Sequence, residues 1–233
     1  MSFGSSASKP SGQRPHSSKA TAFGQIVLLL GSTICTIAIA DILRWPLLGP
    51  LSVIPPVALG LYLMHRWHES PSLIGIRRPT RPLNFALFVL ATVVVSIVFN
   101  GIGQAVAGAI FDSTASIDAL GTIKGNLPRY LVYLLISWTT AAIGEELLFR
   151  GMVMRHLETI LGSSNPRLAL VILIQAITFG LFHSYQGVVG IFGTGAIAIA
   201  MGLFFYLSKR TIWTCVVAHG IIDTIGFTEE YLK

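Results

Sequence analysis

Three short stretches of the sequence place ionisable residues among apolar ones. They are Gly144-Glu145-Glu146-Leu147-Leu148-Phe149-Arg150, Phe179-Gly180-Leu181-Phe182-His183 and His219-Gly220-Ile221-Ile222-Asp223. A carboxylate beside an imidazole handles protons at neutral pH, because burial favours the neutral carboxyl while the ring supplies a hydrogen-bond partner. Glu145 with His183 therefore suits activation of a water. His219 and Asp223, arriving from another part of the chain, suit binding of a substrate carbonyl and of the oxyanion that forms from it. Taken together, this is the chemistry of peptide-bond hydrolysis. Glu146 and Arg150 stand four residues apart in the favourable order for an ion pair along one helix. Glu145 and Glu146 differ by about 100° around a helix, so they cannot both face one point. We assign Glu145 to the site and Glu146 with Arg150 to its support; the reverse assignment satisfies the same spacing.

Those stretches lie in a chain of 233 residues that is 53% hydrophobic and only 11% charged, where a soluble domain carries about 25% charged residues. An ordinary soluble enzyme is excluded. The apolar residues come in runs of roughly twenty, the length a helix needs to cross the hydrocarbon of a bilayer. The fold class expected is all-α, a polytopic membrane helical bundle. Seven runs are visible, at about 22–40, 46–64, 83–111, 127–145 and onward, 168–182, 188–207 and 211–227. Pro55-Pro56 must kink or break the second. The third is long enough to hide a break near Asn100-Gly101, which would make an eighth span. The first ends in Ala38-Ile39-Ala40, like a signal-peptidase site, but exceeds a signal core of about 7–15 residues and is read as a retained span.

Spacing also sets depth. From Glu145 to Leu161 is 16 steps, the chain turns at Gly162-Ser163-Ser164-Asn165-Pro166, and from Arg167 to His183 is again 16. Each limb is ~24 Å if helical, so a hairpin brings Glu145 and His183 to one depth. His219 stands about 13 Å into the last run from Arg210, with Asp223 one turn on along the same face. All four groups converge within the bilayer on this reading.

The formal charge is +6, but the basic residues are scattered among loops rather than gathered in a patch, so no nucleic-acid partner is expected. Twelve Lys and Arg fall in the amino-terminal tail and the second, fourth and sixth connections, against four (Arg44, Lys124, Arg129 and Lys233) on the other side. That asymmetry predicts a multi-pass cell-membrane protein with the amino terminus in the cytoplasm and the carboxyl terminus outside. Residues 1–20, rich in Ser, Gly and Pro, read as a disordered basic tail. The chain is then divided into 1–20 as tail, 21–126 as amino-terminal transmembrane helices, 127–227 as the catalytic bundle and 228–233 as a carboxyl-terminal tail. Cys35 and Cys215 lie inside apolar runs and suggest no disulfide.

The three stretches resemble the motifs of the CAAX protease and bacteriocin-processing (CPBP) family, which includes the type II CAAX prenyl proteases. The family pattern E-E-x-x-x-R, F-x-x-x-H and H-x-x-x-N/D stands here as Glu145-Glu146 to Arg150, Phe179 to His183, and His219 to Asp223. The resemblance covers about residues 127–225; the first half shares only hydropathy and the loop Leu73-Ile74-Gly75-Ile76-Arg77-Arg78-Pro79. It implies an intramembrane endopeptidase acting on a membrane-associated peptide or protein in the lipid bilayer. Glu145 and His183 would activate water, His219 and Asp223 would hold the oxyanion, and Glu146, Arg150 and Phe179 would support them. Asp223 departs from the Asn that the prenyl proteases typically carry, and an ionised Asp would repel an oxyanion. Members of known architecture tend toward eight spans. The family was long called a metalloprotease family, and zinc held by Glu145, His183 and His219 is an alternative; with no H-E-x-x-H pair in the sequence, a metal-independent glutamate mechanism is preferred. Two other functions compete. One is a non-catalytic protein of the same type, such as a bacteriocin immunity factor or scaffold; the other is a proton-coupled transporter, disfavoured by the lack of an internal repeat.

Overall fold

The computed structural model of the protein describes residues 18–43, 51–79, 81–113 and 123–233. Most of the expected basic tail and the beginning of the second apolar run lie outside the described residues. Helices α1 (Lys19–Leu43), α2 (Ile54–Arg66), α3 (Pro82–Phe111), α4 (Leu127–Leu161), α5 (Asn165–Phe182), α6 (Gly187–Leu207) and α7 (Ile212–Leu232) form an all-α bundle, with no strand among the described residues. Their starts are written locally. Ser18 Oγ accepts the amide of Thr21, and Asn126 Oδ1 accepts that of Arg129, while prolines occupy the first turns of α2, α3, α4 and α5, where no amide donor is missed. Pro55 and Pro56 thus open α2 instead of kinking its middle, and the second run is interrupted just before them.

Five helical segments among the described residues are long and apolar enough to cross a bilayer: Lys19–Ala40, Pro82–Phe111, Leu127–Leu161, Asn165–Phe182 and Ser184–Leu207. The other two helices, expected to complete seven spans, differ for separate reasons. α2 keeps 13 residues after its prolines, and α7 carries Asp223, Glu229 and Glu230 along its length. An eighth span from a broken third run is not formed, because α3 runs unbroken for 30 residues through Asn100-Gly101. Asn100 Oδ1 accepts a hydrogen bond from Gln104 Nε2 one turn on, at 3.0 Å, and both side chains lie against Gly193 of α6. The polar group is satisfied at a helix contact, so the backbone need not open. The tail expected at 228–233 is also helical as far as Leu232. Tyr130 and Tyr231 stack at 5.0 Å, and Gly125 N donates to Tyr231 O, tying this end of α7 to the start of α4.

Small residues let the helices approach. A Cβ on Gly180 of α5 would stand 2.5 Å from the Ile191 carbonyl of α6. Exposed faces of α1 and α3 present Val27, Leu28, Ile34, Leu87, Leu90 and Val94, the surface that lipid requires. The core gathers around residues 148–154 of α4, every one of which is buried. Two connections brace it. Ile74, in the turn Pro71–Ile74, lies against Gly151, and the O of Gly75, at φ +83°, accepts the Ile212 amide that opens α7. Thr211 Oγ1 donates to Arg77 O at 3.0 Å. The loop therefore fixes where α7 begins relative to α4.

Candidate active site

α4 is not α-helical throughout. Between Leu127–Ile136 and Met154–Leu161 its backbone takes the wider π form, over Ser137–Glu145 and again over Leu147–Val153. Single π turns are frequent at functional sites; here the form covers the first motif on both sides of Glu146. Glu145 and Glu146 leave this stretch in different directions. Glu145 faces α5, where its Oε2 lies 4.0 Å from His183 Nε2, both side chains being mostly buried. Glu146, fully buried, faces Arg150 at 2.9 Å and His219 Nδ1 of α7 at 2.9 Å through the same Oε1.

His183 ends α5, and its Nδ1 lies 2.9 Å from the Phe179 carbonyl one turn back. That contact suits an N–H at Nδ1, leaving Nε2 as the nitrogen presented to Glu145. Phe179 joins the motifs physically: its ring stacks on His183 at 4.5 Å and carries the Arg150 guanidinium 4.8 Å from its centroid. The Arg150 charge, fully buried, is thus met by a carboxylate and an aromatic face. On α7, His219 Nε2 lies 3.7 Å from Asp223 Oδ2, too long for a hydrogen bond. Asp223 Oδ2 instead accepts from the Ser137 hydroxyl of α4.

All seven residues singled out from the sequence, Glu145, Glu146, Arg150, Phe179, His183, His219 and Asp223, are therefore brought into one region where α4, α5 and α7 meet. Glu146 does more than pair with Arg150, since it reaches His219 directly. Ser137 and Trp138 were not singled out. Trp138 Nε1 donates to Thr224 Oγ1 at 3.1 Å, and its ring covers Gly220 so closely that a Cβ there would stand 2.6 Å away. Ser137 precedes Glu146 by nine residues, which on an α-helix puts them on opposite sides. With i→i+5 bonding, nine residues are about two turns, so both face α7. Only the π backbone reveals that partnership.

Among the described residues no three His, Cys, Asp or Glu side chains come together to hold a metal ion. His219 Nδ1 is engaged by Glu146, and His183 Nδ1 by its own helix. Glu145, His183 and His219 do not form such a group.

Neither the curated proteins nor the solved structures compared with the chain include a match to it. A family match does exist, and its limits follow the site: it begins at the first residue of α4 and ends two residues past Asp223, enclosing all three motifs. Over residues 127–225 the chain matches the family model described as type II CAAX prenyl endopeptidase Rce1-like.

Proposed function

We propose that this protein is a glutamate-type intramembrane endopeptidase that cleaves a membrane-associated peptide or protein. The observation that carries the reading is the pairing of Glu145 with His183 across 4.0 Å, from separate helices, with Glu145 Oε2 buried and without a hydrogen-bond partner among the described residues. That distance admits a water hydrogen-bonded to both groups but no direct bond between them. Glu145 takes a proton from the water, and the oxygen attacks the scissile carbonyl carbon. The carbonyl oxygen becomes an oxyanion on the side of His219 and Asp223. As the C–N bond breaks, Glu145 returns the proton to the departing amine, giving a carboxylic acid and an amine. Glu146 and Arg150 hold His219 at its Nδ1, so that Nε2 faces the reacting groups. Residues 127–227 act as the catalytic bundle, with the earlier helices as its scaffold.

We place the amino terminus in the cytoplasm. Two ion pairs tie together chain segments that the distribution of Lys and Arg assigns to that side. Arg155 meets Glu69 in a bidentate pair at 2.7 Å, and Arg210 meets Glu158 at 2.8 Å. At the opposite end, Gly125, beside Lys124, bonds Tyr231 near Lys233.

The test compares membranes carrying the native chain with membranes carrying Glu145→Gln. Peptides released in the membrane fraction are identified by mass spectrometry, and an S-farnesylated peptide with a CAAX terminus is supplied as a defined probe. The amide is isosteric but a poor base. Cleavage should disappear in the variant while its insertion and folded amount stay unchanged. Retention of more than a few per cent of the cleavage rate would remove Glu145 from the mechanism.

A further inference from the structure

Between the end of α6 at Leu207 and the start of α7 at Ile212 stand only Ser208, Lys209, Arg210 and Thr211. α6 closes in the two-bond pattern that usually carries a left-handed glycine: Arg210 N donates to Phe205 O at 2.8 Å and Lys209 N to Tyr206 O at 3.1 Å. Here there is no glycine. Lys209 and Arg210 take φ of +60° and +61° in succession, a conformation that L side chains rarely adopt and that persists only where its surroundings impose it. The Arg210 side chain supplies that hold. Its Nη1 donates to both Glu158 carboxylate oxygens at 2.8 Å, its guanidinium lies 4.9 Å from the centre of the Tyr206 ring, and the Tyr206 hydroxyl donates to Glu158 Oε1 at 2.7 Å. An isolated surface ion pair contributes little, but these three side chains form a closed network around a Glu158 side chain only 12% exposed. The turn is thereby fixed to the final turn of α4.

Glu158 belongs to the helix that carries Glu145 and Glu146, and Arg210 stands two residues before the helix that carries His219 and Asp223. Side chains join these two helices in antiparallel order along their length: Tyr130 with Thr228 through their hydroxyls at 2.9 Å, Ser137 with Asp223, Glu146 with His219 at 2.9 Å, and Glu158 with Arg210 at 2.8 Å. The middle two pairs lie in the candidate site and the outer two secure its ends. Nine residues separate Arg210 from His219, about 13 Å at the helical rise, so a displacement of the turn is carried along α7 to the site. We infer that Glu158, acting through Arg210, is a positioning residue for cleavage: the clamp imposes the left-handed turn and so sets the height and rotation of α7 at which His219 and Asp223 meet α4. Neither Glu158 nor Arg210 touches the substrate.

The inference rests on the endopeptidase reading. Rates on a peptide whose cleavage depends on Glu145, and the thermal midpoint in detergent, are measured for the native chain, Glu158→Ala, Lys209→Gly and the two changes combined. Glu158→Ala should lower the midpoint and cut kcat about tenfold with KM unchanged, since a misplacement of about 1 Å can cost about 10²-fold. Lys209→Gly gives the turn a residue that favours its φ, and should raise the midpoint with kcat within about twofold of native. The combined variant separates position from stability. Its midpoint should return to the native value while kcat stays low, because the turn is relaxed but no longer tied to α4. Native kcat in Glu158→Ala, or recovery of kcat together with the midpoint in the combined variant, would overturn the inference and leave Glu145 in its role. Absence of any Glu145-dependent cleavage by the native chain overturns the endopeptidase reading, and the inference with it.

Discussion

Asp223 is a carboxylate where an oxyanion would form on the proposed mechanism, and the surrounding contacts decide what that means. Were Asp223 the group that orients His219, its oxygen should bond the ring, yet it stands 3.7 Å away and is bonded by Ser137 instead. The ring is already held at Nδ1 by Glu146. An Asn at 223 retains an oxygen to accept from Ser137 and gains an amide that donates without needing a proton. Asp223→Asn should therefore preserve or raise cleavage at neutral pH. Asp223→Ala should lower kcat about 10²- to 10³-fold, as loss of an oxyanion donor does elsewhere. Rates for the three forms between about pH 5 and 8 settle the matter, because a histidine normally titrates in that range. An Asn form as inactive as the Ala form throughout would show that a negative charge at 223 is what the site requires.

At the scale of the element, the π stretch of α4 is what turns Ser137 and Glu146 toward one neighbour. Its partner α7 must come close for that to matter, and Gly220 is the point of approach, under the Trp138 ring. A methyl group there would meet three ring carbons at 2.6 Å, and the Trp138 indole is held by Thr224 and cannot swing aside without losing that bond. Gly220→Ala is expected to push α7 outward by a fraction of an ångström and to cut kcat/KM at least about tenfold, since catalytic geometry tolerates little misplacement. Gly101→Ala, where a Cβ meets nothing within 4 Å, serves as the control and should be silent in the same assay. Equal activity of both variants would mean that the approach of α7 to α4 does not set the site.

For the whole molecule, the same charges that serve the site also sit at the centre of the core. Arg150 is fully buried amid Leu148, Phe149, Met152, Phe179 and Cys215. Removing one partner of a buried pair leaves an uncompensated charge, at a cost of about 3–5 kcal/mol. Arg150→Ala should therefore lower the amount of folded protein and its thermal midpoint in detergent. The double change Glu146→Leu with Arg150→Met removes both charges, and should recover the midpoint without recovering cleavage. Unchanged stability of the single variant would show that the pair is not a structural hub.

Much of this was legible in the sequence because a bilayer leaves few choices. Runs of roughly twenty apolar residues must become helices to satisfy their backbone, and charges inside them stand out against that background. The 16-step limbs on either side of Gly162-Ser163-Ser164-Asn165-Pro166 sufficed to place Glu145 opposite His183, since a short turn between two helices leaves only an antiparallel hairpin. Spacing within one helix also paired Glu146 with Arg150. The remaining features depend on contacts between elements that are far apart in the chain. That α3 stays whole through Asn100-Gly101 follows from its contact with α6, which no local pattern carries. Glu146 reaches His219 because the loop at Gly75 fixes where α7 starts. Ser137 belongs to the site because α4 widens to five-residue hydrogen bonding, which moves a residue by half a turn relative to the α-helical periodicity on which any reading of spacing relies. Sequence determined which ionisable residues come together; tertiary packing decided which of their atoms meet, because helix pitch and approach are set by neighbours rather than by the helix itself.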